Sequence, residues 1–331
     1  MRRASRHVTV QPRRTAMSEV STMTVDVDFT RGVEKHRHEL RVHCYRLLGS
    51  FDEAEDLVQE TFLRAWRGRD TFEGRSSFRA WLYRIATNAC LDAIARRPAP
   101  TPTDTPAVEV PWIQPYPDAL LDQAAGPDAE AVARETIELA YLVALQHLPA
   151  KQRAVLVLRD VLGWPATETA ALLDDTVPAV NSALQRARGT LRKHLPERRA
   201  EWSTEASARE KAVLRRFVEA TESCDPAALA AVLREDAVWS MPPQPELYRG
   251  RDTLIELWTP IMVGPEAFGE WRALPVWANR QPAVAGYAKR PGRDVYEPVA
   301  LDVLRVEDGV ITEVTTFPSA VFAWFDLPAT L

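Results

Sequence analysis

The feature that most limits how this chain can fold is a cluster of prolines near its middle. Residues 98–128 hold eight of the 25 prolines in a chain of 331 residues. Proline fixes φ and lacks a backbone N–H, so no regular helix can run through such a stretch. The chain is therefore predicted to form separate domains on either side of a linker.

The linker nevertheless contains side chains of the type that proteins usually bury. Its segment VPWIQPYPDALL, residues 110–121, contains Trp112, Ile113, Tyr116 and Leu120. Flexible linkers are normally rich in small and polar residues, so large apolar side chains are unexpected there. We therefore predict that these four residues form a docking strip, which packs against a neighbouring domain.

Residues 29–97, before the linker, contain few helix breakers and are predicted to be helical. In the segment 50–68 apolar residues recur at helical spacing, and Asp52 with Glu55 predicts the helix N-terminus. Acids in the first turn also suit the helix dipole. The simpler interpretation of this acidic face is capping and solvation, and the alternative is a docking face for a basic partner.

The segment 76–97 is predicted to be a second long helix with two different faces. Phe78 and Trp81 belong to its apolar stripe, and Arg84 and Asn88 lie on its polar face. Aromatic rings beside arginines can form a nucleic-acid platform, because bases stack on rings and arginines meet phosphates. The alternative, which we favour for the two aromatic residues, is that they pack in the core.

The segment 163–195, after the linker, has the pattern of a helix-turn-helix. A first helix is predicted over 165–173. A turn follows, with Thr176 as the N-cap of a second helix and Pro178 in its first turn. The outer face of the second helix carries polar and basic residues suited to base edges and phosphates: Asn181, Ser182, Gln185, Arg186, Arg188, Arg192 and Lys193. A solvated helix face is the alternative, but the preceding helix and turn favour DNA binding.

Residues 207–331 have a different pattern and are predicted to form an α+β domain. Two helices come first, and short runs of β-branched and aromatic residues then predict strands: 236–241, 283–289, 299–306 and 310–317. Seven large side chains are candidates to line a ligand pocket: Trp239, Met241, Trp258, Trp271, Trp277, Tyr287 and Phe317. The alternative is that they only fill the core.

The same domain offers little for acid–base catalysis. All six histidines of the chain precede it, and the acids Asp236, Asp294 and Glu297 have no spacing that singles one out. The histidines in 36–43 fall on different faces of a helix, which does not suit a metal ion. We therefore expect no catalytic residue, no metal site and no cofactor.

Charge and cysteine content exclude several classes of protein. Residues 206–331 carry 13 Lys+Arg and 18 Asp+Glu, whereas 1–205 carry 28 of each. Autonomous DNA-binding proteins usually have a basic domain, so this neutral first part argues against tight DNA binding without a partner. No apolar run is long enough to span a bilayer, and three widely spaced cysteines match no disulfide or zinc pattern. A cytoplasmic protein without membrane contact is expected.

Two of these blocks resemble a known family. DEAEDLVQETFLRAWRG together with SSFRAWLYRIATNACLDAIARR resembles region 2 of the extracytoplasmic-function (ECF) sigma factors of the sigma-70 type. LQHLPAKQRAVLVLRDVLGWPATETAALLDDTVPAVNSALQRARGTLRKHL resembles their region 4. The linker followed by an α+β domain looks like the SigG-like branch, in which a cone-shaped SnoaL-like domain is fused to the sigma factor. The expected architecture is multidomain, with two all-α sigma domains and one α+β domain.

The resemblance divides the chain into six parts. They are a disordered basic tail (1–28), sigma region 2 (29–97), the linker (98–128), sigma region 4 (129–196), a connector (197–206) and a SnoaL-like regulatory domain (207–331). The resemblance implies promoter recognition and transcription initiation, modulated by the C-terminal domain. The implied partners are promoter DNA and the β′ clamp helices and β flap of core RNA polymerase, with a small-molecule ligand as a further candidate.

The resemblance also implies roles for individual residues. The outer face of the second helix in the helix-turn-helix would read the −35 element. Contacts to the −10 element would come from Phe72, Trp81, Arg84, Asn88, Arg96 and Arg97. Contacts to core polymerase would come from Asp52, Glu53, Asp56 and Gln59. One departure is the pair Asp174–Asp175, where the family more often has a small residue, because two acids there would weaken −35 binding.

Two functions of other classes stay open at this point. A stand-alone ligand-sensing regulator would use the helix-turn-helix without polymerase, but it leaves residues 29–97 without a role. An enzyme carried by the C-terminal domain would turn over a small substrate when residues 206–331 are tested alone.

Overall fold

The structure, a computed structural model of the chain, describes residues 29–72, 74, 77–97, 110, 112–121, 137–195 and 208–331. The chain divides into a first unit, residues 1–37, and a second unit, residues 38–331. In the first unit, residues 29–34 are helical and Glu34 pairs with Arg37 at 2.7 Å. The predicted tail 1–28 and connector 197–206 lie outside the described residues.

The first helical domain consists of three helices: α1 Arg37–Leu48, α2 Phe51–Arg67 and α3 Phe78–Arg96. A short 3-10 helix, Arg69–Thr71, follows α2. Helix α2 packs against α3. Apolar residues recur every three or four positions in these helices, and Leu40, Val58 and Leu82, one from each helix, are fully buried.

The N-cap of α2 differs from the prediction. The helix begins at Phe51, and its N-cap is Ser50, whose side chain accepts a hydrogen bond from the backbone N–H of Glu53. Asp52 therefore lies inside the first turn. Serine is as good an N-cap as aspartate, so the two alternatives could not be separated by residue type alone.

The second helical domain contains four helices: α4 Leu139–Gln146, α5 Ala150–Leu156, α6 Ala166–Leu172 and α7 Val177–His194. Helix α5 continues into a π-helical stretch, Val157–Val161. Helices α6 and α7 form the predicted helix-turn-helix. Thr176 is confirmed as the N-cap of α7, because its hydroxyl accepts a hydrogen bond from the backbone N–H of Ala179.

The C-terminal domain is an α+β domain with one six-stranded sheet, as predicted. Its helices are α8 Ala208–Glu222, α9 Pro226–Ala230 and α10 Arg251–Met262. Its strands are β1 Leu233–Ser240, β2 Leu247–Arg249, β3 Glu270–Ala278, β4 Gln281–Lys289, β5 Glu297–Glu307 and β6 Val310–Pro318. A 3-10 helix, Ser319–Phe325, follows the last strand. Two of the strands, β2 and β3, were not predicted from the sequence.

The strands are ordered β2-β1-β6-β5-β4-β3 in the sheet. Only the pair β1 and β6 is parallel among the pairings of this sheet. Helix α8 packs on β3 and β4, and α10 packs on β1. The core of the domain lies between these helices and the sheet, with Phe217, Leu254 and Val314 almost fully buried.

The turn between β3 and β4 is a tight two-residue connection. Asn279 and Arg280 occupy it with φ angles of 56° and 59°. Positive φ at both central residues is typical of the hairpin turn whose twist matches that of the strands, and asparagine tolerates this conformation well. The turn therefore projects from the sheet in a fixed geometry.

Candidate nucleic-acid interfaces

The outer face of helix α7 is available for contacts with another molecule. The seven residues predicted for the −35 element are all exposed: Asn181, Ser182, Gln185, Arg186, Arg188, Arg192 and Lys193. Val180 and Leu184 bury the opposite face. Arg188 donates two hydrogen bonds to Asp160, at 2.7 and 2.6 Å. The positive charge of Arg188 is therefore paired with Asp160, whereas the other residues of this face are exposed.

The two acids in the turn of the helix-turn-helix have separate structural roles. Asp174 has a φ of 51°, a conformation that aspartate adopts more readily than most residues. The carboxylate of Asp175 lies 2.7 Å from Lys151 Nζ and accepts a hydrogen bond from the N–H of Thr176 at 2.8 Å. The hydrogen bond from Lys151 is the main cause of the lowered pKa of Asp175. One of the two acids is thus paired within the domain.

An aromatic cluster lies beside the start of α3. The ring of Phe72 is 5.1 Å from that of Trp81 and 5.6 Å from that of Phe78. All three side chains are half-buried, so they are partly core and partly accessible. Arg84 and Asn88 are exposed on the polar face of the helix, as is Arg96 at its end. Rings and cations of this kind together suit single-stranded DNA.

Arg97 does not lie with Arg96 on that face. Its guanidinium donates to a carboxylate oxygen of Glu53 at 2.6 Å and to the carbonyl oxygen of Leu48 at 3.0 Å. It also lies 4.9 Å from the ring centroid of Trp112. In this arrangement the side chain of Arg97 is occupied by the linker and by α2, and its contact with DNA stays a prediction.

The acidic start of α2 is mostly open. Asp52, Asp56 and Gln59 are exposed, whereas Glu53 is the partner of Arg97. The pKa of Asp52 is raised, mainly by partial burial. A hydrogen bond from the linker residue Gln114 lowers this pKa, whereas the nearby charge of Asp56 raises it further. Three of the four residues predicted for core polymerase thus form an accessible face.

Tyr116 of the linker is completely buried against the first helical domain. Its hydroxyl accepts a hydrogen bond from Arg41 at 2.8 Å. Its ring lies 4.9 Å from that of Tyr45 and 5.2 Å from that of Phe51. Burial raises its pKa to about 12, despite the opposing effect of Arg41. The predicted docking residue is therefore in a packed aromatic environment.

The other residues of the predicted strip differ in depth. Ile113 is 4% exposed. It packs so closely against Gly49 that a side chain at position 49 would contact it. Trp112 and Leu120 are half-buried, whereas the neighbouring Leu121 is only 1% exposed. The strip ends in a single helical turn, Asp118–Leu121.

Gln114 is a linker residue that the sequence analysis missed. Its side-chain oxygen accepts hydrogen bonds from the hydroxyl of Ser50 at 2.9 Å and from the N–H of Asp52 at 3.0 Å. Its carbonyl accepts from the hydroxyl of Tyr45 at 2.6 Å. The first N–H groups of a helix need such acceptors, so the linker caps α2. A polar residue inside an apolar strip was the signal that could have identified it.

Asn279, in the β3–β4 turn, joins three parts of the chain. Its side-chain oxygen accepts from the N–H of Tyr116 at 2.8 Å, and its own N–H donates to the carbonyl of Tyr116 at 2.9 Å. Its side-chain nitrogen donates to the hydroxyl of Tyr45 at 2.8 Å and to the carbonyl of Ile137 at 2.7 Å. One buried amide thus connects the C-terminal domain to the linker and to both helical domains.

The residues around Asn279 reinforce this junction. Pro117 forms a β-bridge with Ala278. The N–H of Arg280 donates to the carboxylate of Asp118 at 2.9 Å. The side-chain oxygen of Gln281 accepts from the N–H of Leu139 at 3.1 Å, at the start of α4. The linker is therefore held between the hairpin turn and the first helical domain.

The two helical domains also contact each other directly. Helix α3 packs against α5 and α6. The rings of Tyr83 and Trp164 are 5.1 Å apart, and the guanidinium of Arg79 lies 5.7 Å from the Trp164 ring. Arg153 of α5 donates to the carbonyl of Leu47, at the end of α1. These contacts keep the aromatic face and the helix-turn-helix in one body.

The C-terminal domain contains a cavity of about 100 Å³ between the helices and the sheet. Three of the predicted pocket residues line it, namely Trp239, Trp258 and Trp271. Asp302 and Thr316 also line it and were missed, although a single acid in the apolar run 299–306 was a signal.

Four predicted pocket residues do not line this cavity. Tyr287 and Phe317 follow the lining residues Gly286 and Thr316, and successive residues of a strand point to opposite faces of the sheet. The hydroxyl of Tyr287 donates instead to the carbonyl of Pro328 at 2.8 Å. The other two, Met241 and Trp277, pack at the edge of the core.

A helical domain with an aromatic and basic face, followed by a helix-turn-helix, is the arrangement expected of a sigma-70-type promoter-specificity factor, and the family matches show that class. Comparison with family descriptions gives the same division. Residues 33–98 match sigma-70 region 2, residues 138–191 match sigma-70 region 4, and residues 214–314 match the SnoaL-like domain.

Relatives with known roles cover nearly the whole chain. The chain is 40% identical over 320 residues to the ECF RNA polymerase sigma factor SigG of Mycobacterium tuberculosis, covering 92% of this chain and 85% of that protein. It is 32% identical over 165 residues to SigW of Bacillus subtilis, covering 49% of this chain and 86% of that protein. The protein belongs to the ECF sigma factors of RNA polymerase, which direct promoter recognition and transcription initiation.

A solved structure supports the same fold. The crystal structure of the ECF sigma factor SigJ of Mycobacterium tuberculosis matches with a TM-score of 0.56 and 21% identity, covering 92% of this chain and 99% of that chain. Sigma factors bind core RNA polymerase and promoter DNA and are not enzymes. Among the residues that the structure describes, no helix is long and apolar enough to cross a membrane.

Proposed function

We propose that the described arrangement is a closed, restrained form of this sigma factor, and that the SnoaL-like domain holds it closed. The observation that carries the proposal is the position of Asn279. Its amide hydrogen-bonds to region 2 through Tyr45, to the linker through Tyr116 and to region 4 through Ile137. Breaking this junction would weaken the hold of the C-terminal domain on all three parts, and the direct contacts between regions 2 and 4 would then remain as the last restraint.

The spacing of promoter elements supports this proposal. Helices α3 and α7 both pack on α5 and α6, and the axes of packed helices lie ~8–10 Å apart, so the axes of α3 and α7 approach each other to within roughly 20 Å. The −10 and −35 elements are centred roughly 25 base pairs apart, which is about 85 Å at ~3.4 Å per base pair. Regions 2 and 4 must therefore separate before both elements can be contacted.

The closed form also occupies two residues that we assign to contacts with DNA and polymerase. Arg97 and Glu53, expected to face DNA and polymerase respectively, pair with each other at 2.6 Å beneath Trp112. Moving the linker away would free both charges in one step. Opening and engagement of polymerase are therefore coupled in this proposal.

In the open form we assign the surfaces as follows. The exposed face of α7 would read the −35 element, with Asn181 and Gln185 facing bases and Arg186 facing phosphates. The cluster of Phe72 and Trp81 would support capture of unstacked −10 bases. The acidic start of α2 would dock on the β′ clamp helices, and region 4 on the β flap. This work would take place in the cytoplasm, with polymerase.

Asn279→Gly tests the restraint most specifically. Glycine keeps the positive φ of the turn and removes the three hydrogen bonds of the amide. This should reduce the free-energy difference that favours the closed form by about 1–2 kcal/mol. Promoter output should then rise roughly five- to thirtyfold. The measurement is transcription with purified core RNA polymerase on a pool of genomic fragments, with the start sites mapped.

The matched control is Asp308→Gly, at another positive-φ position, in the β5–β6 turn. It should give wild-type output at the same start sites. Equal or lower output from Asn279→Gly, in protein that melts like wild type, would contradict the restraint. No initiation by any of the three proteins would contradict the sigma assignment itself.

The cavity of the SnoaL-like domain gives this restraint a natural point of control. A small molecule bound there would shift the balance if it preferred one form over the other. The cavity is walled by β4 and β5, and β4 begins at Gln281, two residues after Asn279. A ligand would thus act on the strand that carries the junction.

A further inference from the structure

The polar groups of the cavity form one short chain of hydrogen bonds. The indole N–H of Trp239 donates to the hydroxyl of Thr316 at 2.8 Å. That hydroxyl has one proton and donates it to a carboxylate oxygen of Asp302 at 2.5 Å. The chain therefore ends on an acceptor. Among the described residues, Thr316 is the hydrogen-bond partner recorded for Asp302, so its second oxygen is left for a further donor.

The charge of Asp302 is not balanced within the cavity. None of the described residues that line it is lysine, arginine or histidine. Burial raises the pKa of Asp302 to about 6, and the hydrogen bond from Thr316 offsets only part of that rise. Buried charges in proteins are normally paired, and one hydroxyl is an incomplete substitute for a counter-charge. The described side chains that line the cavity thus supply no positive charge to pair with Asp302.

The walls and size of the cavity narrow the class of ligand. Trp239, Trp258 and Trp271 line it, together with Phe217. Aromatic rings attract cations through their faces, and such cages recognise ammonium groups in many proteins. A volume of about 100 Å³ is below the ~150 Å³ of an engineered cavity that binds benzene, so it limits the occupant to about one ring. An occupant must therefore be small and mostly apolar.

We propose that this cavity is a binding site for a small, protonated, ring-containing amine, with its ammonium group against Asp302 and its ring among the tryptophans. The amine supplies both the missing positive charge and the missing hydrogen-bond donor. This inference rests on the proposed function, because it names the class of molecule that acts on the SnoaL-like domain.

The test is isothermal titration of the full-length protein with three one-ring probes of similar shape: benzylamine, benzyl alcohol and benzoate. Benzylamine should bind at least about tenfold more tightly than benzyl alcohol, since a desolvated cation gains most from a carboxylate and indole rings. Benzoate should not bind. Asp302→Asn, which keeps an acceptor for Thr316, should remove the preference for the amine.

The control variant is Asp294→Asn, which changes an exposed acid and should bind like wild type. Equal binding of benzylamine and benzyl alcohol, or binding of none of the three probes, overturns the proposal from the wild-type series alone, even if Asp302→Asn does not fold. An unchanged amine preference in folded Asp302→Asn also overturns it. These outcomes are independent of the transcription assay on Asn279→Gly, so failure here leaves the closed form to be judged separately.

Discussion

Asn279 and Gln114 are neutral amides, and each connects groups from different parts of the chain. An amide side chain has two donor hydrogens and an acceptor oxygen, so it can join backbone groups of either type. Asn279 uses its oxygen once and its nitrogen twice. A charged residue in the same place would be costly to bury. The hydrogen bonds at this junction can therefore be buried from water and specific, and they can still break and re-form.

Tyr116→Ala is not a clean test of linker docking. The side chain is completely buried among Tyr45 and Phe51, so truncation to alanine would leave a large cavity. Such a change typically costs about 3–5 kcal/mol. Any change in transcription could then reflect unfolding, which is why the amide of Asn279 is the better target.

Asp302 is predicted to make stability depend on pH. Its pKa is raised to about 6 in the folded protein, above the usual value near 4, so the folded state holds the proton more tightly. Ionising Asp302 therefore costs stability, which is lost as the pH rises from about 4 to 6. Asp302→Asn should remove this cost and stabilise the protein above pH 6 by on the order of 1–3 kcal/mol.

Urea unfolding at pH 5 and pH 8 checks this prediction. Relative to wild type, the free energy of unfolding of Asp302→Asn should increase more at pH 8 than at pH 5. The variant Asp294→Asn, at an exposed acid, should show no such difference. A variant that is less stable than wild type at pH 8 would show that the carboxylate is stabilised in the fold by groups other than Thr316.

At the scale of elements, local patterns predicted the helix-turn-helix well. Thr176 and Pro178 are strong start signals, and the structure has both in the first positions of α7. The four predicted strand segments also lie within β1, β4, β5 and β6, apart from one residue at the end of β1. Strand β3 was missed, because Pro275 interrupts the segment EWRALPVWA and its second half is apolar at consecutive positions, which hides the alternation.

Partnerships between distant residues could not be predicted in this way. Arg97 was expected to face DNA with Arg96, but its position depends on Glu53 and Trp112, which lie in other elements. Tyr287 and Phe317 were expected in the pocket, but the face that a strand residue occupies depends on register and on the bulge near Gly286. Such choices are made by tertiary packing, and no local signal encodes them.

The pairing of Arg188 with Asp160 should restrain the −35 helix. Both residues are partly exposed, so the pair is expected to be weak, and DNA phosphates compete with the carboxylate for the same guanidinium. Asp160→Asn should therefore tighten binding of the promoter by the polymerase holoenzyme, by at most about fivefold. The measurement is a titration of holoenzyme on a labelled promoter fragment.

Asp174→Asn is the control for a general effect of charge. It removes an exposed acid from the same domain while asparagine keeps the positive φ. It should change affinity less than Asp160→Asn does. Weaker binding by Asp160→Asn would indicate that the carboxylate positions Arg188 for DNA and does not compete for it.

At the scale of the whole molecule, the neutral charge of the first two domains fits a factor that acts only when assembled. Residues 1–205 carry equal numbers of acidic and basic groups. Non-specific DNA affinity comes mainly from an excess of basic groups, so the free protein should bind DNA weakly. In the closed form the chain also buries Tyr116 of the linker and pairs Arg97 with Glu53. Polymerase would then supply the energy of opening through its own contacts.

The closed form need be only a few kcal/mol more stable than the open one. A difference of that size keeps the open form rare, yet a partner that binds only the open form can reverse the balance. The contacts at the junction are suited to this, because they are a small number of hydrogen bonds and aromatic contacts.

If the closed form exists, regions 2 and 4 are together in the free protein and apart on the promoter. Energy transfer between dyes on Ala95→Cys in α3 and Ala171→Cys in α6, both exposed positions, measures their separation directly. Cys44 and Cys90 are buried, and Cys224 would be replaced by serine. Transfer should be high in the free protein, lower in free Asn279→Gly, and lowest when core polymerase and promoter DNA are added. Energy transfer that stays high in the promoter complex would contradict the proposed separation of regions 2 and 4.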